Sequence, residues 1–187
     1  MNRVGVLALQ GDVREHAALI GELGAEPVTV KTPAQLDSVD ALIIPGGEST
    51  TIGKMAVRFG LMDPLRNAIT NGLPTYGTCA GLILLANSLT EGDQPLVGGL
   101  DVVVKRNAFG RQNDSFETEL AIEGLNENFH AVFIRAPWIE KAGSGVDVLA
   151  AIDEHPVMVQ QDKILATSFH PELTGDARIH QKLLDLI

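Results

Sequence analysis

VGVLALQGDVREHAALIGELGAEPVTV, residues 4–30, decides how this chain folds. Residues 4–9 form an apolar run of the length of a buried strand. From about 13 to 23, Val13, Ala17 and Ile20 recur on one face of a helix. Asp12 and Glu15 resemble a capping box at its start, and Gly24 supplies a stop before a second apolar run at 27–30. Strand, helix, strand at that spacing is a β-α-β unit, whose crossover makes its two strands parallel.

The same alternation continues outward. A third strand is expected at 41–44, helices within 51–60 and 63–71, and a fourth strand at 74–76. Beyond Ser88 the runs become shorter and more polar, with strands expected near 102–105, 116–122, 128–134, 148–151 and 157–160, several of them antiparallel. Residues 164–168 read as a strand returning to the main sheet. Ile179, Leu183 and Leu186 then fall at helical spacing within 176–187. No repeat or Pro/Gly-rich linker interrupts the chain, so residues 1–187 are expected to form one domain, a three-layer α/β sandwich around a mostly parallel sheet.

A hydrophobic share of 45% with 20% charged residues is the balance of a folded globular protein. The formal charge of -10 would repel nucleic acid phosphates and an anionic membrane surface, which favours small-molecule or protein partners. The first apolar run is too short for a secretory signal and the run at 80–86 too short to span a bilayer, so a cytoplasmic location is expected. A single cysteine excludes an internal disulfide and a multi-thiolate metal site. Cys79 is therefore a small buried hydrophobe or a reactive thiol.

Its surroundings favour the thiol. Gly77-Thr78-Cys79-Ala80-Gly81 lies between an expected strand and the apolar helix 82–86, the form of a nucleophile elbow. The helix N-terminus favours a thiolate and offers the N–H of Ala80 to an oxyanion. Expelling an amine also needs a proton donor, a task suited to histidine near neutral pH. His16, His130, His155 and His180 read as helix-surface or strand- and loop-edge residues, each exposed or structurally hydrogen-bonded. His170 opens His170-Pro171-Glu172 at the C-terminal edge of a strand, where open α/β sheets place ligands. Pro171 biases His170 toward an extended backbone, so Glu172, two residues on, can reach the imidazole and orient it. A third element, Pro45-Gly46-Gly47-Glu48-Ser49-Thr50, follows the third strand. Its backbone N–H groups suit a second oxyanion donor, with Glu48 and Ser49 facing the polar ends of a small substrate. The Gly-Lys-Ser/Thr ending of a phosphate-binding loop is absent, and Lys54 reads as helix surface.

The elbow and the late His-Pro-Glu resemble the class I (triad) glutamine amidotransferases, which have a flavodoxin-like glutaminase fold. A closer likeness, to the glutaminase subunits of pyridoxal 5'-phosphate synthase, covers nearly the whole chain. It is carried by Leu7-Ala8-Leu9-Gln10-Gly11-Asp12, residues 45–50, Arg106-Asn107-Ala108-Phe109-Gly110-Arg111-Gln112, Asp114-Ser115-Phe116-Glu117, Phe133-Ile134-Arg135-Ala136-Pro137 and residues 170–174. The resemblance implies Cys79 as nucleophile, His170 as acid/base and Glu172 as its partner. It implies an oxyanion hole at Gly47 and Ala80, and L-glutamine held at Gly46, Gly47, Glu48, Ser49, Arg106, Ile134 and Arg135. It also implies a synthase subunit as partner in a hetero-oligomeric complex, with Gln10 in the segment that contacts it and helps complete the oxyanion hole. Neither a metal nor pyridoxal phosphate is expected on this chain. The rival readings are the glutaminase of another biosynthetic amidotransferase, a γ-glutamyl or peptide hydrolase using the same triad, and a catalytically silent docking subunit.

Overall fold

The computed structural model describes residues 1–110 and 114–187. Arg111 and Gln112, two residues of the Arg106 stretch, lie outside the described residues. The opening unit forms as expected: β1 (Arg3–Leu7), α1 (Val13–Glu22) and β2 (Glu26–Val30). There follow α2 (Pro33–Leu36), β3 (Ala41–Ile44), α3 (Ser49–Arg58), α4 (Met62–Thr70), β4 (Thr75–Thr78) and α5 (Ala80–Leu85). The second half contains β5 (Ala86–Leu89), β6 (Leu100–Lys105), β7 (Ser115–Leu120), β8 (Phe129–Ile134) and β9 (Trp138–Ala142). It closes with β10 (Asp147–Ile152), β11 (His155–Gln161), β12 (Ile164–Thr167) and α6 (Arg178–Leu184).

The main sheet has seven strands in the order β10-β11-β12-β4-β3-β1-β2. The five from β2 to β12 are mutually parallel, and β11 and β10 extend the sheet antiparallel. Ranked along the chain, the parallel strands run 2-1-3-4-5, a doubly wound order that opens a crevice at the carboxyl ends of the strands. Side-chain alternation explains why it is buried on both faces. Leu42 and Ile44 of β3 enter one core with Ile52 of α3, Leu65 of α4 and Leu82 and Leu85 of α5. Ala41 and Ile43 enter the other with Ile20 of α1, Ile179 and Leu183 of α6, and Phe129 and Phe133 of β8. A mostly parallel sheet with a helical layer on each face is the three-layer sandwich expected.

Three elements were not anticipated. α2 is too short to show periodicity, although its reciprocal Thr32–Gln35 capping box with proline in the first turn was readable. β5 follows α5 with no intervening turn residue. β9 pairs antiparallel with β6 in a three-stranded sheet. The first strand stops at Leu7, two residues short of the expected run, because the chain leaves the sheet to begin the loop toward α1. Among the described residues no helix is long and apolar enough to cross a membrane.

Candidate active site

Four strand ends converge. The turns after β1, β3, β4 and β12 carry Gln10 and Asp12, Gly46 to Glu48, Cys79, and His170 respectively. Cys79 is the residue between β4 and α5, at φ 48 and ψ -97, a conformation that costs an L-residue energy and is held here by its surroundings. Its N–H donates to the Thr167 carbonyl at 2.8 Å, tying the elbow to β12. The flanking glycines are obligatory for close approach. A Cβ on Gly81 would lie 2.1 Å from the Ile44 carbonyl oxygen, and one on Gly77 2.6 Å from the Gly81 carbonyl carbon. Ala80 begins α5, so its N–H has no partner one turn back in the helix.

His170 is anchored through its N–H to the Val132 carbonyl at 2.9 Å, and its Nδ1 lies 2.6 Å from Glu172 Oε1. Both side chains are buried. The chain turns into a short 3-10 segment at Pro171–Leu173, yet the two side chains still meet, as the two-residue spacing requires. Asp12 also approaches the ring, its Oδ2 3.5 Å from Nδ1. This overturns the capping box expected from Asp12 and Glu15. Asp12 sits at the N-cap of α1 without a side-chain capping bond, because its carboxylate is drawn to His170. The hydrogen bond to His170 lowers the Asp12 pKa, while burial raises that of Glu172 despite the same ring.

Burial opposes a charge on His170, but hydrogen bonds to Asp12, Cys79 and Glu172 and the charge of Cys79 overcome it, so its pKa is pushed up to about 12. His170 is therefore an imidazolium at neutral pH. The unfolded chain releases that proton near pH 6.5 and the folded one near 12, so between these values the native state binds more protons. The stabilisation is complete below about pH 6.5 and is lost as pH rises through the folded value. Thermal melts of the wild type and His170→Asn across that window should converge as pH increases. Curves that stay parallel would count against a charged ring.

Gln10 reaches over the Gly46-Gly47 turn, its Oε1 accepting from the Glu48 N–H at 2.7 Å. Gly46 donates no side chain because a Cβ there would lie 2.5 Å from His170 Cε1. Its carbonyl accepts from the Asp12 N–H at 3.1 Å. The adjoining Gly47 N–H has no hydrogen-bond partner among the described residues, as an oxyanion donor requires. Glu48 caps α3, its carboxylate accepting from the N–H groups of Thr50 and Thr51. Ser49 Oγ donates to Gln94 Oε1 at 3.1 Å, and Arg106 donates to the same oxygen at 2.9 Å. Gln94 thus gathers α3 and Arg106, a role that its position in a turn-rich loop did not signal.

These groups surround a cavity of about 470 Å³, within the range of small-molecule sites. Of the residues singled out in the sequence, Gln10, Gly47, Glu48, Ser49, Cys79, Arg106, Ile134, Arg135 and His170 line it. Gly46, Ala80 and Glu172 are absent from that lining; Gly46 abuts His170, Ala80 follows Cys79 in α5, and Glu172 bonds His170. Asp12, Ile83 and Asn107 also line the cavity and were not foreseen. Ligand atoms of Asp12, His170 and Glu172 lie within 4.8 Å of one another, a donor set that could hold a cation, but the charged ring among them already supplies positive charge. The arrangement can activate a thiol, protonate a leaving amine and receive an oxyanion.

Two histidines need correction. His16 and His180, expected at surfaces or edges as exposed or structurally hydrogen-bonded residues, are hydrogen-bonded to each other but completely buried between α1, α6 and the sheet, so it is their surface placement that is overturned. The signal was present: His16 lies three residues after Val13 and four before Ile20, and His180 three before Leu183, all at core-facing spacing. His130 is exposed between Glu117 and Glu119, as expected, and so is Lys54 on α3.

Residues 6–187 match the model of the SNO glutamine amidotransferase family. The chain is 58% identical over 188 residues to pyridoxal 5'-phosphate synthase subunit PdxT of Frankia alni, covering 99% of this chain and 94% of that protein. It is 54% identical over 190 residues to the subunit of the same name from Mycobacterium marinum, covering 99% and 96%. A solved glutamine amidotransferase is 52% identical and superposes with a TM-score of 0.94 over 98% of this chain and 97% of that one. PurLQS from Thermotoga maritima, at 17% identity and a TM-score of 0.72 over 99% of each chain, shares the fold.

Proposed function

We propose, starting from a chain that belongs to the SNO glutamine amidotransferase family, that it serves as the glutaminase subunit of a pyridoxal 5'-phosphate synthase, with Cys79, His170 and Glu172 as its triad. The observation that carries the assignment of residues is the 2.6 Å contact of the His170 ring with Glu172 at a cavity that Cys79, His170 and Arg106 line together. All of residues 1–187 act as one glutaminase domain in the cytoplasm.

Glutamine enters with its α-carboxylate toward Arg106 and Arg135, and the backbone of Gly46 to Ser49 and of Ile134 frames the rest of the molecule. Cys79 attacks the side-chain amide carbon as a thiolate, its proton already on His170, and the N–H groups of Gly47 and Ala80 stabilise the tetrahedral oxyanion. His170 gives its proton to the departing nitrogen, the C–N bond breaks, and ammonia leaves a γ-glutamyl thioester on Cys79. A water molecule then adds to the thioester carbon while His170 takes its proton. The C–S bond breaks, which releases glutamate and restores the charged ring. Glu172 holds the ring through Nδ1 in both halves of the cycle.

Ammonia released into bulk water at neutral pH becomes ammonium and loses its nucleophilic lone pair. A docked synthase that receives it directly follows from that chemistry, and Gln10, braced on the Glu48 N–H beside the Gly47 donor, is the residue through which docking would tune the oxyanion hole. Glutamate release from L-glutamine, measured for the chain alone and with the pyridoxal 5'-phosphate synthase subunit, is expected to rise on addition of the synthase. Turnover indifferent to that subunit would move the chain to another biosynthetic amidotransferase, and no turnover in either case would leave a docking role.

A further inference from the structure

Behind the triad stands a second row of buried polar side chains to which the reaction assigns no task. His16 of α1 and His180 of α6 face each other, Nδ1 of the first 2.8 Å from Nε2 of the second. The other nitrogen of His16, Nε2, is 3.2 Å from Thr78 Oγ1 and 3.7 Å from Glu172 Oε2. Among the described residues, two buried atoms in this row lack a hydrogen-bond partner: Glu172 Oε2 and His180 Nδ1. They lie at opposite ends of one line of contacts.

That pair of ends sets the direction of the protons between them. A buried N–H without an acceptor is rarer and costlier than a lone pair without a donor. His180 therefore carries its proton on Nε2 and donates it to His16 Nδ1. His16 must then carry its own proton on Nε2, which faces Thr78 Oγ1 and the outer oxygen of Glu172. The opposite tautomers would strand an N–H at His180 and set a nitrogen lone pair against a carboxylate.

The groups packed around His16 agree with a neutral ring. They are His180 from α6, Thr78 and Tyr76 from β4, and Glu172 with His170 from the turn after β12. Tyr76 stands edge-on to both imidazoles. Burial lowers both rings, His180 to about 4, and His16 is lowered further because a charge on it would be repelled by its neighbours His180, when protonated, and His170. At 3.7 Å the contact between His16 and Glu172 is longer than a formed hydrogen bond, and catalytic contacts of this kind commonly tighten once substrate is bound.

We propose that His16, oriented by His180, is a positioning residue that holds the outer oxygen of Glu172 through its Nε2–H, so that the inner oxygen stays on His170. The inference rests on the triad assigned above.

The test uses the complex with the synthase subunit and follows kcat, KM and the pH profile of glutamate release. His16→Asn keeps a side-chain amide near the Nδ1 position and loses the group that faces Glu172, whereas His16→Gln reaches the Nε2 position. His16→Asn should lower kcat about 10–100-fold, the usual cost of removing a partner behind a site residue, with KM nearly unchanged. The acidic limb of its kcat/KM profile should move to higher pH, because a carboxylate that loses a donor is easier to protonate. His16→Gln should restore most of the rate. In a Glu172→Gln background, His16→Asn should cost less than about twofold, because the two residues act as one unit.

Wild-type kcat in His16→Asn, or the same fold-loss in both backgrounds, would overturn the inference. So would a loss that His16→Gln does not rescue and that tracks a lower melting temperature, the mark of packing alone. Should His16→Asn fail to fold, His180→Asn removes the orienting donor from the far end and must move the same acidic limb; a wild-type profile there overturns the inference as well. Turnover surviving in Cys79→Ala would instead sink the triad, while inactive Cys79→Ala beside an unaffected His16→Asn sinks only the role of His16.

Discussion

Cys79→Ala should lower glutamine hydrolysis by about 10⁴-fold or more while leaving the fold and glutamine binding in place. The chain has no second cysteine, and Ser49, a hydroxyl residue lining the cavity, has its oxygen committed to Gln94. With the sulfur gone, no thioester can form. Only positioning and the proposed oxyanion donors remain, and they cannot divide the reaction into two easier steps. The substitution is mild for the structure, because alanine adopts the positive φ at position 79 about as readily as cysteine and the Thr167 carbonyl still receives the N–H. Equilibrium binding of L-glutamine to the variant, measured beside glutamate release, separates the two effects. Near-normal turnover would exclude the thiol mechanism, and loss of binding without a change in melting temperature would show that the sulfur also positions substrate.

Gly81→Ala should be the most damaging small substitution for stability, costing about 3 kcal/mol or more. The added methyl would meet the Ile44 carbonyl oxygen at 2.1 Å and the carbonyl carbon at 3.0 Å, which are backbone atoms of a central strand and cannot swing aside as a side chain can. Relief requires α5 to back away from β3 and carries Cys79 with it, so activity should fall together with stability. At the usual few degrees per kcal/mol for a chain of this size, the melting temperature should drop by roughly 6–12 °C. Gly21→Ala is the matched control. It lies in α1 with nothing within 4 Å of the added carbon, and the better helix former should leave stability unchanged or raise it by up to about 1 kcal/mol. Equal melting temperatures for the two variants would contradict the close packing of α5 on β3.

Much of this site was legible in the chain. Residues 4–30 are a strand, a helix and a strand in sequence, and neither the apolar run nor the period of the helix depends on anything distant. The elbow is equally local: one cysteine, flanking glycines, and an apolar helix starting at once. His170, Pro171 and Glu172 are neighbours, so a local backbone preference already brings carboxylate and ring together.

Other features depended on what lies across the fold. Asp12 looked like a helix cap because its own helix was all that the local sequence displayed; the ring that captures it is 158 positions further along. His16 and His180 lie on core-facing positions of helices far apart in the chain, and only the doubly wound topology sets those helices side by side behind Glu172. Gln94 joins α3 to Arg106 for the same reason. The sequence by itself determined the opening β-α-β unit, the alternation of strands and helices that follows it, and the elbow and His-Pro-Glu stretch to which the proposed triad belongs, because periodicity, turn chemistry and adjacent residues act within a few positions. Only the tertiary structure decided the burial of the two histidines, the partner of Asp12 and the lining of the cavity. A side chain's local pattern tells which way it faces, and its chemistry is completed by whatever the fold packs opposite.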